Sequence, residues 1–389
     1  MSWPMVALGE VCDTGSGGTP SRTNSAYYGG GIPWVKSGEL LSDIITSTEE
    51  TISEEGLKKS SAKLLEPGCI LLAMYGASIG KTATLGIRAA TNQAVCNIRP
   101  KDDRISTDFI RIFLEYLKPS LIRRGAGGAQ PNISQNIIRD TEIPLPPLDE
   151  QRRIAGILDA ADALRRRRRE ALALLDTLPG AIFAEMFGDP STNRYGYEAG
   201  TIGDLLDDVR YGTSNKAGDE GALPILRMGN ITSQGRMDLA DLKRIDLPDK
   251  DIPKHTVRKG DILFNRTNSA DLVGKTAIFM EEERYAFAGY LVRARVSNGN
   301  RPEYVAGYLN SPHGKKVLRN MAKNIVGMAN INAKEMQSIP ILLAPESKQE
   351  SYAKQCAQIG ERRATLMDHL SQLETLFASL QSRAFAGAL

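Results

Sequence analysis

The chain has 389 residues, a formal net charge of +3 (49 Lys and Arg against 46 Asp and Glu), 41% hydrophobic residues and 24% charged ones. This composition describes an ordinary soluble protein. No apolar run nears the length of a membrane span, and the start MSWPMVALGE has no basic stretch leading into an apolar core, so a cytoplasmic protein is expected. Cys12, Cys69, Cys96 and Cys356 lie far apart with no CxxC pair, which speaks against a zinc site or a disulfide framework.

Taken in order, four segments emerge. Residues 1–148 mix short strand-like runs such as Cys69–Met74 with Gly, Pro and Ser turns, and the pattern over Thr107–Arg123 predicts a helix. Residues 149–189 carry a long helical period. Residues 190–345 repeat the mixed composition, with strands expected at Asp261–Phe264 and Tyr290–Val296 and a helix over Pro302–Met321. Residues 346–389 form a second long helix. The expected class is α/β (α+β): two similar globules, each followed by a helix.

The second half restates the first. Ile32-Pro33-Trp34-Val35-Lys36 matches Leu223-Pro224-Ile225-Leu226-Arg227, at an offset of 191. Pro67-Gly68-Cys69-Ile70-Leu71 matches Lys259-Gly260-Asp261-Ile262-Leu263 at 192, and Ile79-Gly80-Lys81-Thr82-Ala83 matches Val273-Gly274-Lys275-Thr276-Ala277 at 194. Gln151 pairs with Gln349, and Phe187 with Phe385, both at 198. The offset drifts through the globules, where loops take insertions, and holds constant in the helices, as a packed seam requires. One internal repeat with halves this long implies pseudo-twofold symmetry and two comparable surfaces.

Steps of three and four from Tyr352 pass through Cys356, Ile359, Arg363, Leu366, Leu370, Leu373, Phe377, Leu380 and Ala384, a sustained seam. The same steps in the first helix, from Ile154 and Leu158, put Arg165 and Arg168 on the seam and predict a kink at Pro179. Pseudo-twofold symmetry makes the pairing of the two helices antiparallel. At ~1.5 Å per residue such helices reach about 58 Å and can hold globule centres on the order of 40 Å apart, comparable with roughly 34–36 Å between half-sites one DNA turn apart. The run Arg165–Arg169 is either a solvated helix face or a contact for phosphates or an acidic partner.

Gly76-Ala77-Ser78-Ile79-Gly80-Lys81-Thr82 has three residues between its first Gly and Gly-Lys-Thr where a phosphate loop needs four. It reads as a Gly-rich turn exposing Ser78 and Lys81, repeated as Asp271 and Lys275. His255, His313 and His369 are dispersed, and there is no Asn-Pro-Pro-aromatic or Asp-Pro-Pro-aromatic tetrad of the kind used on flipped bases. A binder without catalytic residues is expected. Residues suited to reading DNA fall at matching places: Lys36 and Ser37 with Arg227 and Asn230; Tyr75, Ser78 and Lys81 with Arg266, Asn268, Ser269 and Lys275; and Gln130, Asn132, Ser134 and Gln135 with Asn330, Asn332 and Lys334. Turn and cap chemistry explains the same residue types equally well.

These features resemble the specificity subunit of a type I restriction–modification system. The resemblance spans essentially the whole chain and is carried by Gly17-Gly18-Thr19-Pro20-Ser21-Arg22, Ile32-Pro33-Trp34-Val35, Gln130-Pro131-Asn132-Ile133-Ser134 and, above all, Pro144-Leu145-Pro146-Pro147-Leu148-Asp149-Glu150-Gln151. The second hinge, Pro340–Gln349, keeps the outline without the double proline or the Glu-Gln pair. The resemblance implies two target recognition domains, each reading half of a two-part sequence in double-stranded DNA. It implies helices that set the gap and dock two modification (methyltransferase) subunits. Those subunits would carry S-adenosylmethionine and methylate adenine, while restriction subunits would cut using ATP and Mg; this chain itself would bind no cofactor and no metal. The competing reading is a coiled-coil scaffold whose globules bind protein.

Overall fold

A computed structural model describes residues 3–125, 132–269, 272–325 and 328–389, the side chains of 323–325 excepted. Two compact units divide the chain: Met1–Arg167 with Leu370–Leu389, and Arg168–His369.

The first unit is built on a five-stranded sheet in the order Cys12–Ser16, Val95–Pro100, Ile70–Ala73, Thr82–Leu85, Ile44–Ile45, antiparallel except at the last pair. Ile70, Leu71, Leu72 and Ala73 are all fully buried, which is why this strand reads as a continuous apolar run rather than an alternating one. One face packs under the helix Thr107–Arg124, whose Phe109, Ile110, Phe113 and Leu114 join Ile70, Leu72, Cys96 and Ile98 in the core. A second sheet orders Glu50–Ile52, Tyr28–Val35 and Ala90–Thr91, and Met5–Ala7 pairs with Glu142–Pro144.

The second unit repeats this plan. Leu206–Tyr211, Leu291–Val296, Ile262–Asn265 and Thr276–Ile278 reproduce the first four strands in the same order. The second sheet returns as Lys243–Ile245, Leu223–Leu226, Tyr285–Phe287 and Thr256–Val257, and Glu198–Thr201 pairs with Pro340–Leu343. The second unit also has a three-stranded ribbon of Thr267–Asn268, Met328–Asn330 and Lys323–Ile325. The expected helix over Pro302–Met321 is two helices, Pro302–Asn310 and Pro312–Met321. Pro312 has no N–H to continue the first, and the Ser311 side chain caps the second by accepting from Gly314 N at 3.0 Å.

The long helices run Leu148–Phe187 and Glu346–Phe385. Helix continues through Pro179, whose carbonyl accepts from the Tyr352 hydroxyl at 3.1 Å. Within each unit the helix segments pair antiparallel. In the first unit Ile154 and Leu158 share a core with Ala384, and the Arg165 guanidinium lies 4.1 Å from the centre of the Phe377 ring. In the second, Phe183 packs against Tyr352 and Asp176 pairs with Arg363 at 3.1 Å. Every seam position named above on Glu346–Phe385 is buried or half-buried. No helix among the described residues is long and apolar enough to cross a membrane.

Candidate nucleic-acid interface

In the Gly-rich turn of the first unit Ile79 N donates to Gly76 O, Gly80 N to Ala73 O and Lys81 N to Ser78 O, so these three amides are not free to wrap a phosphate. Gly80 (φ +72°) and Gly274 (φ +76°) are the matching left-handed positions. A Cβ at Gly80 would meet Lys118 at 2.8 Å, and one at Gly274 would meet Leu318 at 2.6 Å, so each turn is pressed onto the helix behind it. Ser78 is 7% exposed, against the expectation that the turn displays it.

Several expected contacts are committed to the fold. Asn230, 4% exposed, accepts from Arg227 N at 2.8 Å and donates to the carbonyls of Asp238 and Asp241 at 2.8 and 3.0 Å. Gln135 donates to Thr14 O and Oγ1 at 2.9 and 3.1 Å. The Lys275 ammonium donates to the carbonyls of Met228 and Ile231, and burial lowers its pKa. Ser134 and Asn332 are N-caps of the short helices Gln135–Arg139 and Ala333–Gln337. At these five positions each side chain satisfies backbone groups that would otherwise be orphaned.

Others remain at the surface. Lys36 pairs with Glu49 and Glu50 at 2.8 and 3.0 Å, and hydrogen bonds to those two carboxylates raise its pKa; such partly exposed pairs exchange cheaply for a phosphate. Ser37 begins the one-turn helix beside it. Arg227 pairs with Asp241 at 3.0 Å. Tyr75 bridges to the exposed Asn132, close to the half-exposed Lys81. Gln130 and Asp271 lie outside the described residues.

The second unit draws the clearest cluster together. Thr267 pairs with Asn330 and Asn268 with Ala329, which sets Arg266, Asn268 and Ser269 beside Asn330 and the exposed Lys334. The Arg266 guanidinium lies 5.0 Å from the centre of the Tyr211 ring. The Tyr211 hydroxyl accepts from Ala333 N at 2.9 Å, and the Tyr290 carbonyl accepts from Arg266 N at 3.1 Å. Tyr211 and Tyr290 are 44% and 52% exposed. Both were missed in the sequence; their signal was positional, each standing where the first half has a small residue, Ser16 and Ala94. The arrangement offers a fixed cation, exposed aromatic faces and amides, which is what contact with a polyanion bearing bases requires.

Residues 2–173 match the family described as type I restriction modification DNA specificity domain. Over 387 residues the chain is 24% identical to the type I restriction enzyme EcoKI specificity subunit of Escherichia coli (strain K12), covering 92% of this chain and 82% of that one. The first part of the chain thus matches the type I specificity domain, and nearly its whole length is similar to type I specificity subunits. A second member, the MjaIX specificity subunit of Methanocaldococcus jannaschii, is 28% identical over 191 residues, covering 48% of this chain and 44% of the relative. The fold is that of solved specificity subunits. It superposes with a TM-score of 0.61 at 20% identity on a chain solved in work on assembly and conformational transition of the type I R-M system, covering 100% of this chain and 98% of that one. It superposes at 0.56 and 15% identity on the S subunit from M. genitalium, covering 99% and 96%. The similarity to type I specificity subunits supports DNA sequence recognition, and the scaffold reading is not favoured.

Proposed function

We propose that each globule reads one half of a bipartite duplex sequence, residues 1–148 the first half and 190–345 the other, while the helices at 149–189 and 346–389 set the gap and dock two modification subunits. The chain supplies the address only. S-adenosylmethionine belongs to the modification subunits, and ATP with Mg to restriction subunits that join them. One observation carries the reading: a single architecture occurs twice, with its buried framework kept and its surface loops changed. Two heads of one construction that read different bases must agree in the core and diverge at the contact.

The DNA-facing set is Lys36, Ser37, Tyr75, Lys81 and Asn132 in the first globule, and Arg227, Arg266, Asn268, Ser269, Asn330 and Lys334 in the second. The deciding experiment is selection from a randomised duplex library by the full chain with its modification subunits, followed by exchange of residues 1–148 for those of another family member. One half of the selected sequence should change and the gap should not. Changes in both halves would sink the two-head reading. Affinity should also fall steeply with salt, since neutralised phosphates release counterions; a protein scaffold would show no salt-dependent DNA affinity.

A further inference from the structure

The two globules can be superposed by backbone hydrogen bonds alone, and this locates where they differ. Gly17 N donates to Val95 O in the first, and Gly212 N to Leu291 O in the second. Met74 N donates to Ala94 O, and Arg266 N to Tyr290 O. Ile133 N donates to Met74 O, and Ile331 N to Arg266 O. Ser16 therefore corresponds to Tyr211, Met74 to Arg266 and Ala94 to Tyr290. The frame is the same, yet a half-buried serine, a buried methionine and a buried alanine face an exposed tyrosine, a half-buried arginine and a second exposed tyrosine.

We propose that Tyr211, Arg266 and Tyr290 are the sequence-determining contact of the second globule, with Arg266 presenting its guanidinium to the O6 and N7 acceptors of a guanine in that half-site. The assignment rests on the DNA-reading function proposed above. A phosphate contact needs only charge and favours a long, solvated side chain. Arg266 is held instead. Its guanidinium carbon lies 5.0 Å from the centre of the Tyr211 ring, one terminal nitrogen is 3.5 Å from Gly289 O, and its Nε is buried with no hydrogen-bond partner among the described residues. A guanidinium fixed in orientation suits two coplanar acceptors, and guanine is the base that presents them. Tyr211 is anchored by its own hydroxyl, so its contact with Arg266 is set before DNA arrives. The first globule has no arginine in this frame, so the two halves are read by different chemistry.

The test compares the full chain with Arg266→Ala, Arg266→Lys and Tyr211→Leu by selection from a randomised duplex library. The wild-type chain should retain a two-part sequence. Arg266→Ala should lose about tenfold or more of the preference for a G·C pair at one position of one half. The other half, read by the same molecule, should be unchanged, which also reports that the variant is folded. Arg266→Lys keeps the charge and should lose the same preference, and Tyr211→Leu should weaken it at that position alone. A uniform loss of affinity over all sequences would make Arg266 a phosphate contact and overturn the proposal, as would two intact halves in Arg266→Ala. If the wild-type chain selects no sequence, the DNA-reading function itself fails, and this assignment with it.

Discussion

The Gln151 side-chain carbonyl accepts the Ser106 N–H at 2.8 Å, while its amide donates to the carbonyls of Arg104 and Pro146 at 2.8 and 2.9 Å. Gln349 does the same in the second unit: it accepts from Arg301 N at 3.0 Å and donates to Asn300 Oδ1 and Ala344 O at 3.0 and 2.9 Å. Both are essentially fully buried. Each ties the first turn of a long helix to the N-terminus of the helix lying on the sheet. Gln151→Ala would leave a buried N–H and two carbonyls without partners and should cost about 2–4 kcal/mol, read as a lower urea midpoint. Because the lost partners all lie in the first unit, proteolysis should begin there.

Gly274→Ala should destabilise more than Gly29→Ala. Both glycines have positive φ, +76° and +74°, but an added Cβ meets Leu318 at 2.6 Å at Gly274 and nothing within 4 Å at Gly29. Conformational strain of ~1–2 kcal/mol is common to the two, and thermal melts of the pair isolate the steric part.

The arginine run divides by what each side chain touches. Arg165 bonds Asp162 at 2.9 Å and covers Phe377, and Arg166 pairs with Asp43 and Asp162, while Arg167 is exposed. Arg165→Gln should cost about 1 kcal/mol of stability through the lost cation–π contact. Arg167→Gln should leave the denaturation midpoint unchanged and weaken binding of DNA or modification subunits without altering the selected sequence. An altered sequence would mean the run reads bases.

Lys315 gives a pH signature. Burial first, then the charges of Lys275 and Arg319, lower its ammonium from the usual 10.5 to about 8, although it donates to Gly274 O at 3.0 Å. Between these two values the unfolded chain holds a proton that the folded chain has released, so this group makes stability rise with pH across that window. Urea midpoints at pH 7.5 and 9.5 should show the wild type gaining on Lys315→Met as pH rises. Shifted tyrosines and cysteines act equally on both proteins and cancel.

The repeat, the two long helices, their seam and the absence of a phosphate-loop spacing were all legible in the residues. Each depends on local periodicity or on a count along the chain. The single helix expected over Pro302–Met321 failed at Ser311-Pro312 because a cap and a missing N–H outweighed a continuous apolar pattern. The candidate contacts were legible only as residue types. Asn230, Gln135 and Lys275 have the chemistry of base readers, yet carbonyls up to 121 positions away in the chain claim their polar atoms, and no sequence pattern reports that.

The sequence by itself carried the resemblance to specificity subunits, the twofold plan and the helices, because motifs, hydrophobic period and repeat spacing are written in residue order. Only the tertiary structure decided which polar side chains are spent on the fold and which remain at its surface. It alone set Tyr211 against Arg266, because that pairing needs a strand end and a loop 55 residues apart to meet through the sheet between them.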